Sequence, residues 1–288
     1  MARNLTSLRW LAPALVVGFA GAADAQQFVD NTAQIPSGNP NNNSRSENVD
    51  FADVDLDGDW DAAFADGGDF DQDQNRLWIN LGELGYLGTF VDQTSTRFPA
   101  VNDQSRDIEF VDFDNDGDAD IYTSQTSQLV NQTNRWWRNG GVGTGNYVDE
   151  TLARWVNLGI NDGTTTFSSI EPGAVLVGGG FIDWSCDCDF GDLDNDGDMD
   201  LVHSSYGGAF NGNVPTRIFL NDGAGFFEEF NPGGQQLSGT NIVNGDTGIW
   251  AEGTQQQNTT TTDGSRCDIA SSALDIDIGD VDGDLDLD

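Results

Sequence analysis

The chain has 288 residues and a formal net charge of −38, with 49 acidic residues against 11 Arg and no Lys, and Asp far outnumbers Glu. A field of that sign repels nucleic acid and anionic membranes, so neither is expected as a direct partner. Without Lys, Lys-based covalent catalysis is impossible within the chain, and a single His (His203) leaves few groups that titrate near neutrality.

The N-terminal stretch reads as an address. Arg3 and Arg9 flank the start of an apolar run, Leu11 to Ala22, and Ala23-Asp24-Ala25 forms a small-residue cleavage site. The run is too short to span a bilayer, so residues 1–25 are expected to be a signal peptide cut after Ala25. The mature protein is then secreted or held at the cell surface. No other stretch is long and apolar enough for a transmembrane segment. Residues 26–47, of Gln, Asn, Ser and Pro character, read as a linker.

From residue 48 the chain repeats. Asp53-Val54-Asp55-Leu56-Asp57-Gly58-Asp59-Trp60-Asp61 returns as Asp112-Phe113-Asp114-Asn115-Asp116-Gly117-Asp118-Ala119-Asp120, and again as Asp192-Leu193-Asp194-Asn195-Asp196-Gly197-Asp198-Met199-Asp200. A shortened version, Asp280-Val281-Asp282-Gly283-Asp284, stands near residue 288. Five carboxylates in nine residues repel one another unless a cation sits among them. A hard dication taking six to eight oxygen ligands fits, and Gly at the sixth position permits the turn. Calcium is the expected ion, at three sites and at a fourth if the shortened loop also binds.

In each full loop positions 1, 3, 5 and 9 are the expected side-chain ligands: Asp53, Asp55, Asp57 and Asp61, then Asp112, Asp114, Asp116 and Asp120, then Asp192, Asp194, Asp196 and Asp200. An EF-hand needs Glu at position 12 and flanking helices, whereas Phe64, Thr123 or His203 stands there and the flanks alternate like strands. Magnesium suits the loops less, because it demands a strict octahedron and retains water.

Before each loop, Val49/Phe51, Ile108/Phe110, Cys188/Phe190 and Ile276/Ile278 alternate with acidic residues, which predicts a strand with one buried face. Second strands are expected at 62–64, 121–123 and 201–203, and third strands at 76–80, 135–139 and 217–221. Fourth strands are expected at 90–94, 147–151 and 226–229, joined by Gly and Asn turns. One such sheet cannot bury both faces. The reading is therefore all-β: a β-propeller of four-stranded antiparallel blades, incomplete, with three full blades and the start of a fourth. The blades fall at about 48–105, 106–185, 186–268 and 269–288, with insertions near 152–185 and 231–266. Three blades would leave an open strand edge, so the chain is expected to be the N-terminal fragment of a longer protein.

These residues resemble the FG-GAP/VCBS-type repeat family, the calcium-binding β-propellers related to the head of integrin α subunits. The resemblance spans about residues 48–288 and rests on the triplicated D-x-D-x-D-G-x-x-D, with Phe190-Gly191 preserving the Phe-Gly pair. It implies that position 7 (Asp59, Asp118, Asp198) contributes its backbone carbonyl. In the fourth loop Asp280, Asp282 and Asp284 are the candidate ligands.

Function is then read as extracellular binding or adhesion to a carbohydrate or protein ligand, with calcium structural. The alternative is a catalytic or non-catalytic part of a secreted polysaccharide-degrading enzyme such as a lyase. No G-x-S-x-G, H-E-x-x-H or P-loop pattern supports catalysis. Trp136, Trp137, Trp155, Trp184 and Trp250 offer surfaces for sugar stacking, against packing between sheets, which is favoured for all five. Cys186, Cys188 and Cys267 allow one disulfide and a leftover thiol, with either of the first two facing the third. His203 is read as structural.

Overall fold

The protein is described by a computed structural model covering residues 30–36, 45–68, 71–126, 133–156, 175–177, 180–182, 185–205, 217–229, 274–281, 283 and 287. The chain divides into two units, Met1–Thr32 and Ala33–Asp288. Of the first, Asp30–Thr32 is described: the Thr32 N–H donates to Asp30 Oδ1 at 3.0 Å. The expected signal peptide lies outside the described residues.

The second unit is built from antiparallel sheets. Strands β1 (Ser46–Ala52), β2 (Asp61–Asp66), β3 (Arg76–Leu81) and β4 (Tyr86–Asp92) form the first sheet, in that order. Strands β5 (Ser105–Val111), β6 (Asp120–Gln125), β7 (Arg135–Asn139) and β8 (Tyr147–Asp149) form the second. Next come β9 (Trp155–Val156) and a separate hairpin of β10 (Val175–Val177) and β11 (Gly180–Ile182). The third sheet contains β12 (Ser185–Gly191), β13 (Asp200–Ser205), β14 (Arg217–Asn221) and β15 (Phe227–Glu229), and β9 pairs in parallel along the outer edge of β15.

The period-two pattern places the first strands of the three full repeats as expected, and the acidic loops join the first strand of each sheet to the second. The first strand expected at Ile276 and Ile278 does not form: residues 274–281 belong to no strand, and the N–H groups of Ile276 and Ile278 go to the carboxylates of Asp187 and Asp189 instead of to a ladder. The fourth strands differ. Residues 94 and 151 leave the sheet and open one-turn helices, α1 (Thr94–Arg97) and α2 (Thr151–Arg154). The cause is local. Asp92 and Asp149 each accept, through Oδ1, the backbone N–H two residues on, at 3.0 Å. The hydroxyls of Thr94 and Thr151 accept the N–H of Leu77 (2.9 Å) and Trp136 (3.1 Å) on the third strand. Asx bonding of this kind diverts a chain from a ladder into a turn.

The sheets pack in series. Val54, Ala63, Ala65, Leu77 and Ile79 from the first repeat meet Phe98, Ile108, Ile121, Trp137 and Tyr147 in one core. Val111, Phe113, Tyr122 and Trp136 meet Trp155, Cys188, Leu201, Phe219 and Phe227 in the next. Trp136 stacks on Phe227 with ring centroids 4.1 Å apart. Trp136, Trp137 and Trp155 are therefore core residues, each worth about 3–5 kcal/mol against Ala. Trp184 and Trp250 lie outside the described residues.

Carboxylates on the first strands reach across each junction to the backbone of the next repeat. The Phe110 N–H donates to Asp50 Oδ2 (2.8 Å), the Cys188 N–H to Asp107 Oδ2 (2.9 Å), and the Ile276 and Ile278 N–H groups to Asp187 and Asp189 (both 2.7 Å).

The expected propeller is not what these sheets make. They are separate sheets stacked one after another, and none closes into a barrel or a ring of blades. The first sheet shows this directly. Val49 and Phe51 on β1 are 40% and 46% exposed, whereas Ile108 and Cys188, the counterparts of Val49, are buried, and Phe110 and Phe190, the counterparts of Phe51, are half-buried. Alternation and repeat length specify a sheet and its next neighbour. Closure is a global property that neither encodes.

Candidate metal centre

Each acidic loop is held by the same backbone bonds. The carboxylate at position 1 accepts the N–H groups of positions 5 and 6. For Asp53 these come from Asp57 and Gly58, both at 3.0 Å, and for Asp112 from Asp116 (3.1 Å) and Gly117 (3.0 Å). For Asp192 they come from Asp196 (2.9 Å) and Gly197 (3.1 Å). The carboxylate at position 5 accepts the N–H of position 7, at 3.2, 3.3 and 3.1 Å in the three loops. Gly58, Gly117 and Gly197 have φ between +92° and +100°, which side-chain-bearing residues rarely adopt. Position 4 is left-handed too: Leu56, Asn115 and Asn195 have φ of 57°, 58° and 61°. Asn tolerates this conformation well and Leu poorly.

The wrapped backbone gathers carboxylates. Oxygens of Asp53, Asp55 and Asp57 lie within 4.8 Å of one another, as do those of Asp112, Asp114 and Asp120, and those of Asp192, Asp194 and Asp200. That span is about twice a calcium–oxygen distance. Position 9 joins the group in the second and third loops. In the first loop, Asp61 Oδ2 accepts the Val54 N–H (3.1 Å) and Oδ1 the Asn80 N–H (2.8 Å). Asp116 and Asp196 at position 5 stand outside the second and third groups. Asp57 belongs also to a further group with Asp59 and Glu83. Asp280 lies in no such group among the described residues; its Oδ1 accepts the Gly283 N–H at 2.5 Å, and Asp282 and Asp284 lie outside the described residues.

Whether a dication suits these loops is decided by the oxygens left over. Asp55 Oδ1, Asp114 Oδ1 and Asp120 Oδ2 are buried and have no hydrogen-bond partner, as are Asp59 Oδ1 and both oxygens of Asp118. A buried anionic oxygen without a partner is costly, and an all-oxygen donor set is what a hard dication takes. The residues fit. Burial, opposed by backbone N–H donors and reinforced by the neighbouring carboxylates, pushes Asp61 up to about 7, Asp120 to about 8 and Asp200 to about 6. Burial and then Asp116 push Asp118 up to about 7.

Two residue types complete the site. Asn139 and Asn221 end their third strands and Asn80 stands one residue before the end of β3, and their side chains bond the position-8 carbonyl of their own loop at 3.1 Å (Asn80), 3.4 Å (Asn139) and 3.1 Å (Asn221). Asn139 and Asn221 reach further, to the position-2 carbonyl of the preceding loop: Val54 O at 2.9 Å and Phe113 O at 2.8 Å. Arg97 and Arg154, at the ends of the one-turn helices, pair with position 3 of their own loops. Arg97 Nη2 lies 3.0 Å from Asp55 Oδ2, and Arg154 Nη2 3.4 Å from Asp114 Oδ2. Both also donate to the next repeat, Arg97 to Thr144 O (2.7 Å) and Arg154 to Ala224 O (2.8 Å). In the sequence each expected third strand, 76–80, 135–139 and 217–221, closes on an Asn, which did not reveal this role. The signal for the arginines was the recurring Thr-x-x-Arg, at Thr94–Arg97 and Thr151–Arg154.

Cys186 and Cys188 are buried thiols, Cys188 Sγ lying 3.0 Å from Asp107 Oδ2. Their expected partner Cys267 lies outside the described residues. His203 sits on β13, its backbone between Cys188 and Arg217 in the ladder. No helix among the described residues is long and apolar enough to cross a membrane.

No curated protein matches the chain. The expected likeness over residues 48–288 is carried by a shorter span, and residues 53–123, from the first loop through the second to Thr123 on β6, match the family model described as an FG-GAP-like repeat.

Proposed function

We propose that the chain is an extracellular repeat module whose acidic loops each take a calcium ion, and that the ion fixes the link between the first and second strands of each sheet. The carrying observation is the set of buried carboxylate oxygens without partners in the first two loops (Asp55 Oδ1, Asp114 Oδ1 and Asp120 Oδ2), inside clusters of the right span; the third loop repeats the backbone wrapping and the cluster. Asp53, Asp55 and Asp57 would hold the ion in the first loop, Asp112, Asp114 and Asp120 in the second, and Asp192, Asp194 and Asp200 in the third. Bound calcium supplies positive charge that cancels the repulsion among them. Arg97 and Arg154 supply part of that charge already and point the position-3 carboxylate inward. The N-terminal export signature supports an extracellular setting, where roughly 10⁻⁴–10⁻³ M sites are saturated.

In this reading the segment binds a carbohydrate or protein ligand rather than catalysing a reaction, and polysaccharide cleavage by the purified chain would overturn that part. Terbium tests the loops. Trp60, at position 8 of the first loop and 67% exposed, is placed to sensitise terbium luminescence. Sensitised emission displaced by millimolar calcium is expected. No emission, or emission that calcium does not displace, would refute the ion assignment.

A further inference from the structure

The second and third sheets are each completed by an aromatic residue of the repeat before them. On the second sheet Phe98, which follows α1, lies against Trp137 and Tyr147, with ring centroids 4.8 and 5.5 Å apart. On the third Trp155, which follows α2, lies 5.1 Å from Phe219, and its backbone runs parallel to Phe227 and Glu228 on the outer edge of β15. Covered in this way, Trp137, Tyr147, Phe219 and Phe227 are all buried.

The first sheet presents the same receiving surface. By register, Trp78 is the counterpart of Trp137 and Phe219, each opposite an apolar residue of the second strand (Ala62, Ile121, Leu201). Phe90 is the counterpart of Tyr147 and Phe227, each opposite the strand's Asn (Asn80, Asn139, Asn221). Trp78 and Phe90 are only half-buried. Among the described residues, the ring contact of Trp78 is Phe64 of its own sheet, at 4.4 Å, and no strand flanks β4. Arg76 lies over Trp78 at 5.7 Å, but Arg135 lies over Trp137 at the same distance with Phe98 in place, so the arginine does not exclude an aromatic. The backbone is also ready. The Asn80 N–H goes to Asp61 rather than to Phe90, and the Gln93 N–H turns inward to Leu77 O (3.0 Å). Alternation then turns the N–H of Phe90 to the free edge, where Phe227 meets Trp155.

We propose that the first sheet takes an extended peptide along the free edge of β4, parallel to it, with an aromatic side chain set on Trp78 and Phe90 and a β-branched residue following. Trp155-Val156 on the third sheet is the template for that strand. Main-chain bonds along an exposed edge supply affinity, and the place for one side chain supplies selectivity. The formal charge of −38 favours a neutral or basic strand over an acidic one. The proposal rests on the binding reading above and narrows its ligand to a peptide.

The probe is the sequence of residues 152–157, Leu-Ala-Arg-Trp-Val-Asn, acetylated and amidated, added to the full chain in saturating calcium. Calorimetry should show millimolar or tighter binding. A control peptide with Ala in place of Trp keeps the basic residue and should bind about tenfold more weakly or worse. Hydrogen exchange at the Phe90 amide should slow several-fold on binding. Phe90→Thr keeps a strand-forming residue, removes the aromatic face, and should weaken binding several-fold. Equal binding of the two peptides, protection at Phe227 in place of Phe90, or no binding at about 10 mM peptide would overturn the proposal. A glycan bound where no peptide binds would overturn it too, and would leave the binding reading standing.

Discussion

Replacing Asn139 by Ala tests how the repeats are held together. Asn139 is fully buried, and its Nδ2 bonds Val54 O of the first loop (2.9 Å) and Ala119 O of its own (3.4 Å), while its Oδ1 accepts from Thr144 Oγ1 (3.2 Å). Truncation strands the Val54 carbonyl in a buried place, at about 1–3 kcal/mol, and loses the net gain of the remaining bonds at about 1 kcal/mol. The expected destabilisation is about 2–4 kcal/mol. Asn221→Ala should match it, since Asn221 makes the same pair to Phe113 O and Met199 O. Asn80→Ala is the internal control. Asn80 bonds only the Trp60 carbonyl and spans no junction, so about 1 kcal/mol is expected. Urea unfolding followed by tryptophan fluorescence, in calcium, measures all three. Equal losses at the three positions, or a larger one at Asn80, would refute the role of the side chain as a link between loops.

Removing calcium should lower the melting temperature, because an ion that binds only the folded chain stabilises it by mass action, about 1.4 kcal/mol per site at tenfold excess over Kd. Differential scanning calorimetry with and without chelator checks this. Arg154→Ala should cost about 2–3 kcal/mol, since one buried side chain serves Asp114, the Ala224 carbonyl and the face of Phe113 at 4.7 Å. Arg154→Lys should recover little of it, because a single ammonium cannot point in those directions at once. Burial, then Asp107 and Asp50, push Glu109 up to about 9. The folded state then binds a proton that the unfolded chain releases near pH 4.5, so Glu109 makes stability fall as pH rises from there to about 9. Glu109→Gln should remove that slope and raise stability at pH 9, with calcium held saturating and unfolding measured in urea.

Local chemistry was legible and global arrangement was not. The acidic loops, their glycines and the alternation of Ile108, Phe110, Cys188 and Phe190 each depend on residues a few places apart, and all stand where the spacing put them. Asp149 closes its strand as expected, but Glu150 and Thr151, read as its continuation, leave the sheet because the bond from the Thr151 N–H to Asp149 turns the chain. Asp61 looked like Asp120 and Asp200 in sequence. It stands outside the first group all the same, and its backbone bonds are not the cause: its two oxygens accept the N–H groups of Val54 and Asn80 just as those of Asp200 accept Leu193 and Asn221. The propeller failed for a different reason. Val49 and Phe51 carry the same apolar pattern as Ile108/Phe110 and Cys188/Phe190 but are more exposed, because among the described residues no preceding sheet packs on β1.

Calorimetric titration of the chelator-treated chain with calcium tests the central claim most directly. One saturable uptake per complete loop is expected, three in all, with Asp55→Asn, Asp114→Asn and Asp194→Asn each removing one. No heat at millimolar calcium, or uptake unchanged by all three substitutions, would contradict it.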